Sequence, residues 1–236
     1  MGIRECALED LVISRSLVVS SGKRPIIFWG ASGQAKVLHE CLSYSNFELV
    51  ALFDNRSDIV SPIDTCPVFC GEEGLEKWLA QNGAIEEIGF SVAVGGGRGS
   101  DRDRLFGQLE DRGLDPVTLR HEKAFVAPTA SIGSGCQLLA QSAVCVDVTL
   151  GRNCIINTSA SVDHDCKLGD SVHVCPGAHV AGEVVIDSFV LVGAGATILP
   201  RLKIGKNSTV GAGSVVTKDV PEGSTVVGNP ARIISK

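Results

Sequence analysis

An aliphatic residue recurs at every sixth position through the second half of the chain, from Val126 to Val216. Residues 125–220 divide without a gap into sixteen units: FVAPTA, SIGSGC, QLLAQS, AVCVDV, TLGRNC, IINTSA, SVDHDC, KLGDSV, HVCPGA, HVAGEV, VIDSFV, LVGAGA, TILPRL, KIGKNS, TVGAGS and VVTKDV. The second place of every unit is Val, Ile or Leu, and the sixth place is small or aliphatic. Sixteen matches in one register indicate a structural repeat.

This period predicts a parallel β-helix with three flat faces. Each unit supplies one short strand and one corner, so three units make a coil of 18 residues. The aliphatic second place points inward and stacks on its neighbours about 4.8 Å above and below. Gly182 follows His164 by 18 positions, so we expect it one coil above that histidine. The limited space at corners accounts for the cysteines at sixth places without any chemistry.

The front half of the chain shows strand and helix patterns instead. An apolar run at residues 26–29 leads through a glycine turn into an amphipathic helix over residues 34–42. "ELVALFDN" predicts a second strand, and "VAVGGGRG", residues 92–99, predicts a third that also ends in glycines. This β-α-β order predicts a small Rossmann-like domain with ligands at the carboxyl ends of its strands.

The glycine turn of this domain is a candidate nucleotide site. Its motif is Gly-x-x-Gly-x-Ala, which a plain strand-to-helix turn would also give, but an acid follows about 20 residues later, as in dinucleotide-binding folds. Amides at the start of the helix are suited to bind phosphate. We expect the nucleotide at Gly30, Ser32, Gly33 and Asp54.

Composition narrows the class of protein. The net charge is -6 and the pI about 5.4, which argues against nucleic acid or an anionic membrane as a partner. No run of 18 apolar residues occurs, so no membrane span is expected. We divide the chain into an extension of unknown role (residues 1–24), the Rossmann-like domain (25–120) and the β-helix domain with its C-terminal cap (121–236).

Nine cysteines, an odd number without a Cys-x-x-Cys pair, predict reduced, buried thiols in a cytoplasmic protein. No metal is expected. β-Helix enzymes that bind zinc through three histidines are the alternative, but they need a close pair of ligands. His173 and His179 are six positions apart, so they occupy equivalent places on adjacent faces and point in different directions.

The stretch "SASVDHDCKL" places a histidine between two acids at an outward position of the array. A neutral imidazole can take a proton from an attacking group near pH 7, and a carboxylate on its other nitrogen selects the tautomer. Asp165 or Asp163 can serve His164 in this way. Adjacent strand residues point oppositely, so the acid reaches the ring only where the chain bends at a corner. An exposed charged surface is the simpler alternative.

Together, "GASGQAKV", "FDN", "VAVGGG", "RHEKAFVAPTASIG" and "NTSASVDHDCKLGDSVHVCPGAHVAGEVVI" resemble the bacterial sugar O-acyltransferases of the sialic-acid and nucleotide-4-amino-sugar N-acetyltransferase type. The resemblance covers residues 24–236. It implies a left-handed β-helix after the α/β Rossmann-like domain. It also implies an N-acetyltransferase that uses acetyl-CoA as co-substrate and a nucleotide-linked amino sugar as acceptor, for glycan or polysaccharide synthesis.

The resemblance also assigns residues. It makes His164 the catalytic base, with Asp165 as the acid that orients it. It places the acetyl-CoA contacts at His173, Gly182, Gly193, Gly211, Lys218 and Arg232. It places the sugar-nucleotide contacts at Gly30, Ser32, Gly33, Lys36, Asp54, Asn55 and Gly95.

Two departures from the family concern the nucleotide half. Gln34 occupies a place where many relatives have histidine, and Asn55 follows Asp54 where many have a second acid. These departures bear on which nucleobase and which sugar are bound more than on the acyl-transfer reaction. At the other end, "VVGNPARIISK" resembles the coenzyme A-binding end of such enzymes, although capping of the last coil is an equal interpretation.

Alternatives of other classes stay open at this point. A non-catalytic sugar-nucleotide-binding trimer would keep the fold without the reaction, and an O-acetyltransferase on a sialic-acid-like sugar would use the same base. The intact set of His164, Asp165, His173 and Gly182 favours the enzyme. Because an isolated prism presents open faces with few polar groups to enclose a coenzyme, we expect a homotrimer.

Overall fold

The computed structural model describes residues 22–82 and 87–235, which form an α/β front domain and a parallel β-helix. All but the last three residues of the predicted extension, 1–24, lie outside the described residues. Within those residues, no helix is both long and apolar enough to cross a membrane.

The front domain is a five-stranded parallel sheet in the order β3-β2-β1-β4-β5, with helices between the strands. Its elements are β1 (Arg24–Trp29), α1 (Gly33–Leu42), β2 (Phe47–Asp54), β3 (Val68–Cys70), α2 (Gly71–Asn82), β4 (Gly89–Val92), α3 (Gly99–Glu110) and β5 (Asp115–Pro116). Strand order reverses beside β1, since β2 lies on one side of it and β4 on the other. This switch point is where such sheets bind ligands.

The first two predicted strands and the first helix are confirmed, and the third strand is wrong in position. The strand predicted over residues 92–99 is β4, which runs from Gly89 to Val92, and the glycine-rich stretch after it is a loop. Glycines have no side chain to pack in a sheet, and Gly96 has a φ of 70°, which lies outside the strand region. The loop therefore follows the carboxyl end of β4.

Each of the sixteen units forms a two-residue strand at its first and second places. These strands are β7 (Phe125–Val126), β8 (Ser131–Ile132), β9 (Gln137–Leu138), β10 (Ala143–Val144), β11 (Thr149–Leu150), β12 (Ile155–Ile156), β13 (Ser161–Val162), β14 (Lys167–Leu168), β15 (His173–Val174), β16 (His179–Val180), β17 (Val185–Ile186), β18 (Leu191–Val192), β19 (Thr197–Ile198), β20 (Lys203–Ile204), β21 (Thr209–Val210) and β22 (Val215–Val216). Strands pair with those 18 residues away, as Val144 with Val162 and Val162 with Val180. The predicted coil is confirmed.

The inward places form one continuous core. Val144, Val162 and Val180 are at most 1% exposed, and so are Cys136, Cys154 and Cys166 at sixth places. All eight cysteines of the described residues are free thiols, but Cys70 is exposed rather than buried.

The array extends slightly beyond its repeats at both ends. β6 (Leu119–Arg120) already pairs with β9, so its sheet begins two residues before the predicted boundary at 121. At the other end, β23 (Thr225–Gly228) and β24 (Ala231–Ser235) form an antiparallel hairpin that continues the same sheet. This hairpin closes the last coil.

The front domain covers one face of the prism. We call this the docked face; it is the sheet that contains β9, β12, β15 and β18. Leu139 and Ile155 of that face belong to the same buried cluster as Phe28 and Leu38 of the front domain. The two domains therefore share a core, and the chain's other two faces, with β13 and β14 respectively, meet at the corner opposite the docked face.

Candidate active site

The histidine and its acid meet at the corner between β13 and β14. Asp165 has a φ of 60°, which turns the chain so that its carboxylate returns to the neighbouring ring. His164 Nδ1 lies 2.8 Å from Asp165 Oδ2. Asp163 instead accepts a hydrogen bond from the His164 backbone N–H, also at 2.8 Å. Of the two candidate acids, Asp165 holds the imidazole.

Because Nδ1 of His164 faces the Asp165 carboxylate, Nε2 is the ring nitrogen left for another partner. Hydrogen bonding to the Asp165 carboxylate raises the pKa of His164 above its ordinary value. In the neutral ring the Nδ1–H donates its hydrogen bond to the Asp165 carboxylate, so Nε2 carries the lone pair. The His164 side chain is 47% exposed, so a ligand can reach the ring from solvent.

Gly182 lies against the same ring, as the 18-residue arithmetic predicts. A Cβ at this position would lie 2.6 Å from His164 Cε1, so only glycine leaves room for the imidazole ring. Among the hydrogen bonds of the described residues, none uses the Gly182 N–H as donor. That amide is available to a thioester oxygen beside the base.

Lys218 follows His164 by three coils, or about 14 Å, along the same corner, and it is exposed. Arg232 is exposed on β24, where its guanidinium contacts only its neighbour's carbonyl within the described residues. Both side chains are accessible to an anionic ligand.

Gly193 and Gly211 have a packing role that the sequence did not indicate. A Cβ on Gly193 would lie 2.6 Å from Ala212 N in the next coil, and one on Gly211 would lie 2.6 Å from Val227 Cγ1. The stacking of coils requires glycine at both places. Their contact with acetyl-CoA stays a prediction.

His173 is an outward residue, as predicted, but the front domain covers it. The side chain is buried on the docked face, with Nε2 3.0 Å from Asn157 Nδ2 and Nδ1 3.3 Å from the Gly96 carbonyl oxygen. Burial lowers the pKa of His173 to about 4, with a further contribution from Arg102. The ring is therefore neutral and donates from Nδ1. Its expected role at the thioester remains a prediction.

A cleft of about 540 Å³ lies at the switch point of the front sheet. It brings together five of the seven residues predicted for the sugar nucleotide: Gly30, Ser32, Gly33, Asp54 and Gly95. The other two, Lys36 and Asn55, are exposed and do not line it. The contact of all seven residues with a sugar nucleotide stays a prediction.

Two arginines of the cleft were missed by the sequence analysis. Arg56 and Arg98 line it, with side chains 58% and 66% exposed. Each follows a strand end by a few residues, which is the signal that could have identified them. Guanidinium groups at the mouth of such a cleft suit phosphate oxygens.

Asp54 organises the strand ends of the cleft. Its carboxylate accepts hydrogen bonds from the Ala31 N–H at 3.0 Å and from Arg56 Nε at 3.0 Å. Burial raises the pKa of Asp54, but these hydrogen bonds outweigh it, and the pKa lies below its ordinary value. Asp54 is therefore an anion that holds both the glycine turn and Arg56.

The cleft rests on the docked face through side-chain amides. Gln34 Nε2 donates to Gln137 Oε1 at 2.7 Å, and Gln137 Nε2 donates to the Val92 carbonyl at 2.8 Å. The cleft thus lies over the docked face, whereas His164 lies at the opposite corner. Within one chain the cleft and His164 therefore lie apart.

No group of three His, Cys, Asp or Glu side chains within residues 22–82 and 87–235 is arranged to hold a metal ion. The chemistry available at the corner is that of an imidazole, a carboxylate and a backbone amide.

Fold and site together define a hexapeptide-repeat acyltransferase. The family model "Bacterial transferase hexapeptide (six repeats)" matches residues 183–218. None of the curated proteins compared with the chain matches it significantly.

Several solved structures are similar to this chain over most of its length, beyond the residues that the family model matches. A variant of GDP-perosamine N-acetyltransferase from Caulobacter crescentus, in complex with CoA and GDP-perosamine, is 31% identical over 90% of this chain and 97% of its own, with a TM-score of 0.82. The acetyltransferase domain of PglB from Neisseria gonorrhoeae, in complex with acetyl coenzyme A, is 33% identical over 90% and 100%, with a TM-score of 0.81. WeeI from Acinetobacter baumannii is 28% identical over 89% and 99%, with a TM-score of 0.77.

The chain belongs to this family of hexapeptide-repeat sugar N-acetyltransferases. The expected architecture, a Rossmann-like domain followed by a left-handed parallel β-helix, is confirmed.

Proposed function

We propose that this protein transfers the acetyl group of acetyl-CoA to the amine of a nucleotide-linked amino sugar. The observation that carries the proposal is the contact of His164 with Asp165 on one side and with Gly182 on the other. The Caulobacter crescentus relative, which binds CoA and GDP-perosamine, supports the same two substrates. The sugar is a 4-amino sugar in this proposal.

The reaction follows from these groups. The sugar amine attacks the thioester carbonyl carbon while His164 Nε2 takes its proton. Asp165 stabilises the imidazolium that forms, and the Gly182 N–H donates to the carbonyl oxygen as it becomes negative. The attack forms the C–N bond, collapse of the intermediate breaks the C–S bond, and the proton passes from His164 to the leaving thiolate. The products are the N-acetyl sugar nucleotide and CoA.

We further propose a homotrimer whose sites lie between chains. The nucleotide cleft lies over the docked face and His164 lies at the corner opposite it, so the two halves meet only when the corner of one prism faces the cleft of another. Exposed apolar residues on the array, Val146 at 47% and Leu199 at 40%, are available for such packing. The cysteines of the described residues are all free thiols, which supports a cytoplasmic location.

The test is turnover with a panel of GDP-, UDP- and dTDP-linked 4-amino sugars and acetyl-CoA, followed by free-thiol release and mass spectrometry of the product. We expect one acceptor to gain an acetyl group on nitrogen, and His164→Ala to lower kcat by about 10²–10⁴-fold. Acetylation on a sugar hydroxyl, or no turnover with any amino sugar, would overturn the proposal.

A further inference from the structure

Arg102 is a fully buried arginine between the two domains. It lies on α3, is 0% exposed, and donates to three backbone carbonyls. Its Nη1 is 3.2 Å from Val94 O, its Nε is 3.2 Å from Asn153 O, and its Nη2 is 2.6 Å from Ser171 O. The first carbonyl belongs to the cleft, and the other two belong to successive coils of the array.

This buried cation has no carboxylate among its hydrogen-bond partners in the described residues. The neighbouring Asp103 binds Arg152 instead, at 3.1 Å. Burial lowers the pKa of the Arg102 guanidinium to about 10, so it is still charged at neutral pH. Burying a charge is unfavourable unless its donors are satisfied. The planar guanidinium donates to three backbone carbonyls in fixed directions and so fixes their relative positions. A lysine ammonium lacks this planar geometry.

The cleft loop is the segment that this fork holds. We use this name for residues 94–99, which are the loop after β4 and the first residue of α3; Val94, Gly95 and Arg98 line the cleft. On its other side the loop packs on the array: a Cβ on Gly99 would lie 2.9 Å from the Ser171 carbonyl oxygen. The loop is therefore bounded by the nucleotide cleft on one side and by the docked face on the other.

We propose that Arg102 is a positioning residue for the sugar nucleotide: by holding the Val94 carbonyl to the array, it sets the shape of the cleft and the place from which the amine is presented. This inference rests on the proposed function, since it assumes that the cleft binds a nucleotide. Arg102 itself does not line the cleft, so it acts through the loop.

The variants are Arg102→Lys, which keeps the charge and loses the fork, and Arg102→Met, which loses both. Arg152→Met is the matched control. Arg152 joins the same helix to the array through Asp103 and Glu110 and lies over the Phe106 ring at 5.2 Å. Its side-chain contacts within the described residues include none of the residues that line the cleft. Titration calorimetry measures the affinity of wild type and each variant for GDP, UDP and dTDP and, separately, for CoA. The melting temperature of each protein is measured alongside.

We expect the Arg102 variants to weaken nucleotide binding by about tenfold or more, because a hydrogen bond to a charged group is lost, with CoA affinity within about twofold of wild type. Arg152→Met should lower the melting temperature and leave nucleotide affinity unchanged. If Arg102→Met does not fold, Arg102→Lys alone decides. Equal nucleotide affinity in the Arg102 variants and wild type, or an equal loss of nucleotide and CoA binding, overturns the inference. A wild-type protein that binds none of the nucleotides overturns the proposed cleft site as well.

Discussion

Gly182 lies one coil beyond His164 on the same corner, and a Cβ there would lie 2.6 Å from the Cε1 atom of the imidazole. The glycine thus has two consequences for the site. It leaves room for the ring to stay hydrogen-bonded to Asp165, and its own backbone N–H, which donates no hydrogen bond within the described residues, lies beside the ring.

Gly182→Ala should therefore lower kcat by about 10²–10³-fold, the usual effect of losing an oxyanion donor, with a small change in melting temperature. The added methyl group displaces the ring and covers the amide, while the core of the prism is untouched. Gly107→Ala is the control, because nothing lies within 4 Å of a Cβ at that helical position. A Gly182→Ala enzyme with wild-type kcat would show that neither the amide nor the ring position matters.

The two acids beside His164 should differ in effect. Asp165→Asn removes the carboxylate that raises the pKa of His164, whereas Asp163→Asn alters a group bound to the backbone N–H. The base works as the neutral imidazole, so activity falls as pH drops through its pKa. Because that pKa is raised, the acid limb of the kcat/KM profile should lie above the ordinary imidazole range near pH 6.5.

Asp165→Asn should move this limb to lower pH and lower kcat, while Asp163→Asn moves it less. A pH series of initial rates measures both, and NMR titration of the His164 ring checks the assignment. An acid limb that does not move in Asp165→Asn would mean that another group titrates.

Asp54→Ala should weaken the sugar nucleotide without affecting the coenzyme. The Asp54 carboxylate holds the Ala31 amide and Arg56, so its loss releases both walls of the cleft. We expect KM for the sugar nucleotide to rise by about tenfold or more and KM for acetyl-CoA to stay the same. Asp64→Ala, an exposed acid outside the cleft, is the control. An effect on acetyl-CoA alone would contradict the assignment.

The array was predictable because one physical constraint repeats in it. Every inward place must be aliphatic, so the period gives the strands, their 18-residue pairing and the stacking of Gly182 on His164. The pattern alone left Asp163 and Asp165 equally possible as the acid that orients the ring; the family resemblance named Asp165, and the turn at Asp165 brings its carboxylate to the ring. The burial of His173 depends on a domain that the period does not describe.

Contacts between the domains account for the rest. An arginine on an amphipathic helix is ordinarily expected at the surface, yet two of the three carbonyls that Arg102 binds lie 51 and 69 positions away in the chain. Such a contact exists only after both domains have folded and docked. Arg56 and Arg98 are likewise far apart in sequence, and the switch point of the sheet brings both to the lining of one cleft.

The final prediction concerns the division of one site between two chains. His164→Ala disables the base and keeps the cleft, whereas Gly33→Trp fills the cleft and keeps the base, since nothing lies within 4 Å of a Cβ at Gly33. Each variant alone should be inactive. When the two are co-expressed with different tags, a cleft from one variant can face a base from the other. In random trimers about one quarter of the sites would then be intact.

Purification on both tags removes the homotrimers, and each remaining mixed trimer has one intact site in three, so the purified hybrid should recover about one third of wild-type activity. Co-expression of His164→Ala with Asp165→Ala provides the control, because both variants damage the same half and no intact site can form. Sedimentation should show a trimer for wild type and for the hybrid alike. A hybrid no more active than the control would place cleft and base in one chain, and a fully active monomer would exclude the shared site altogether.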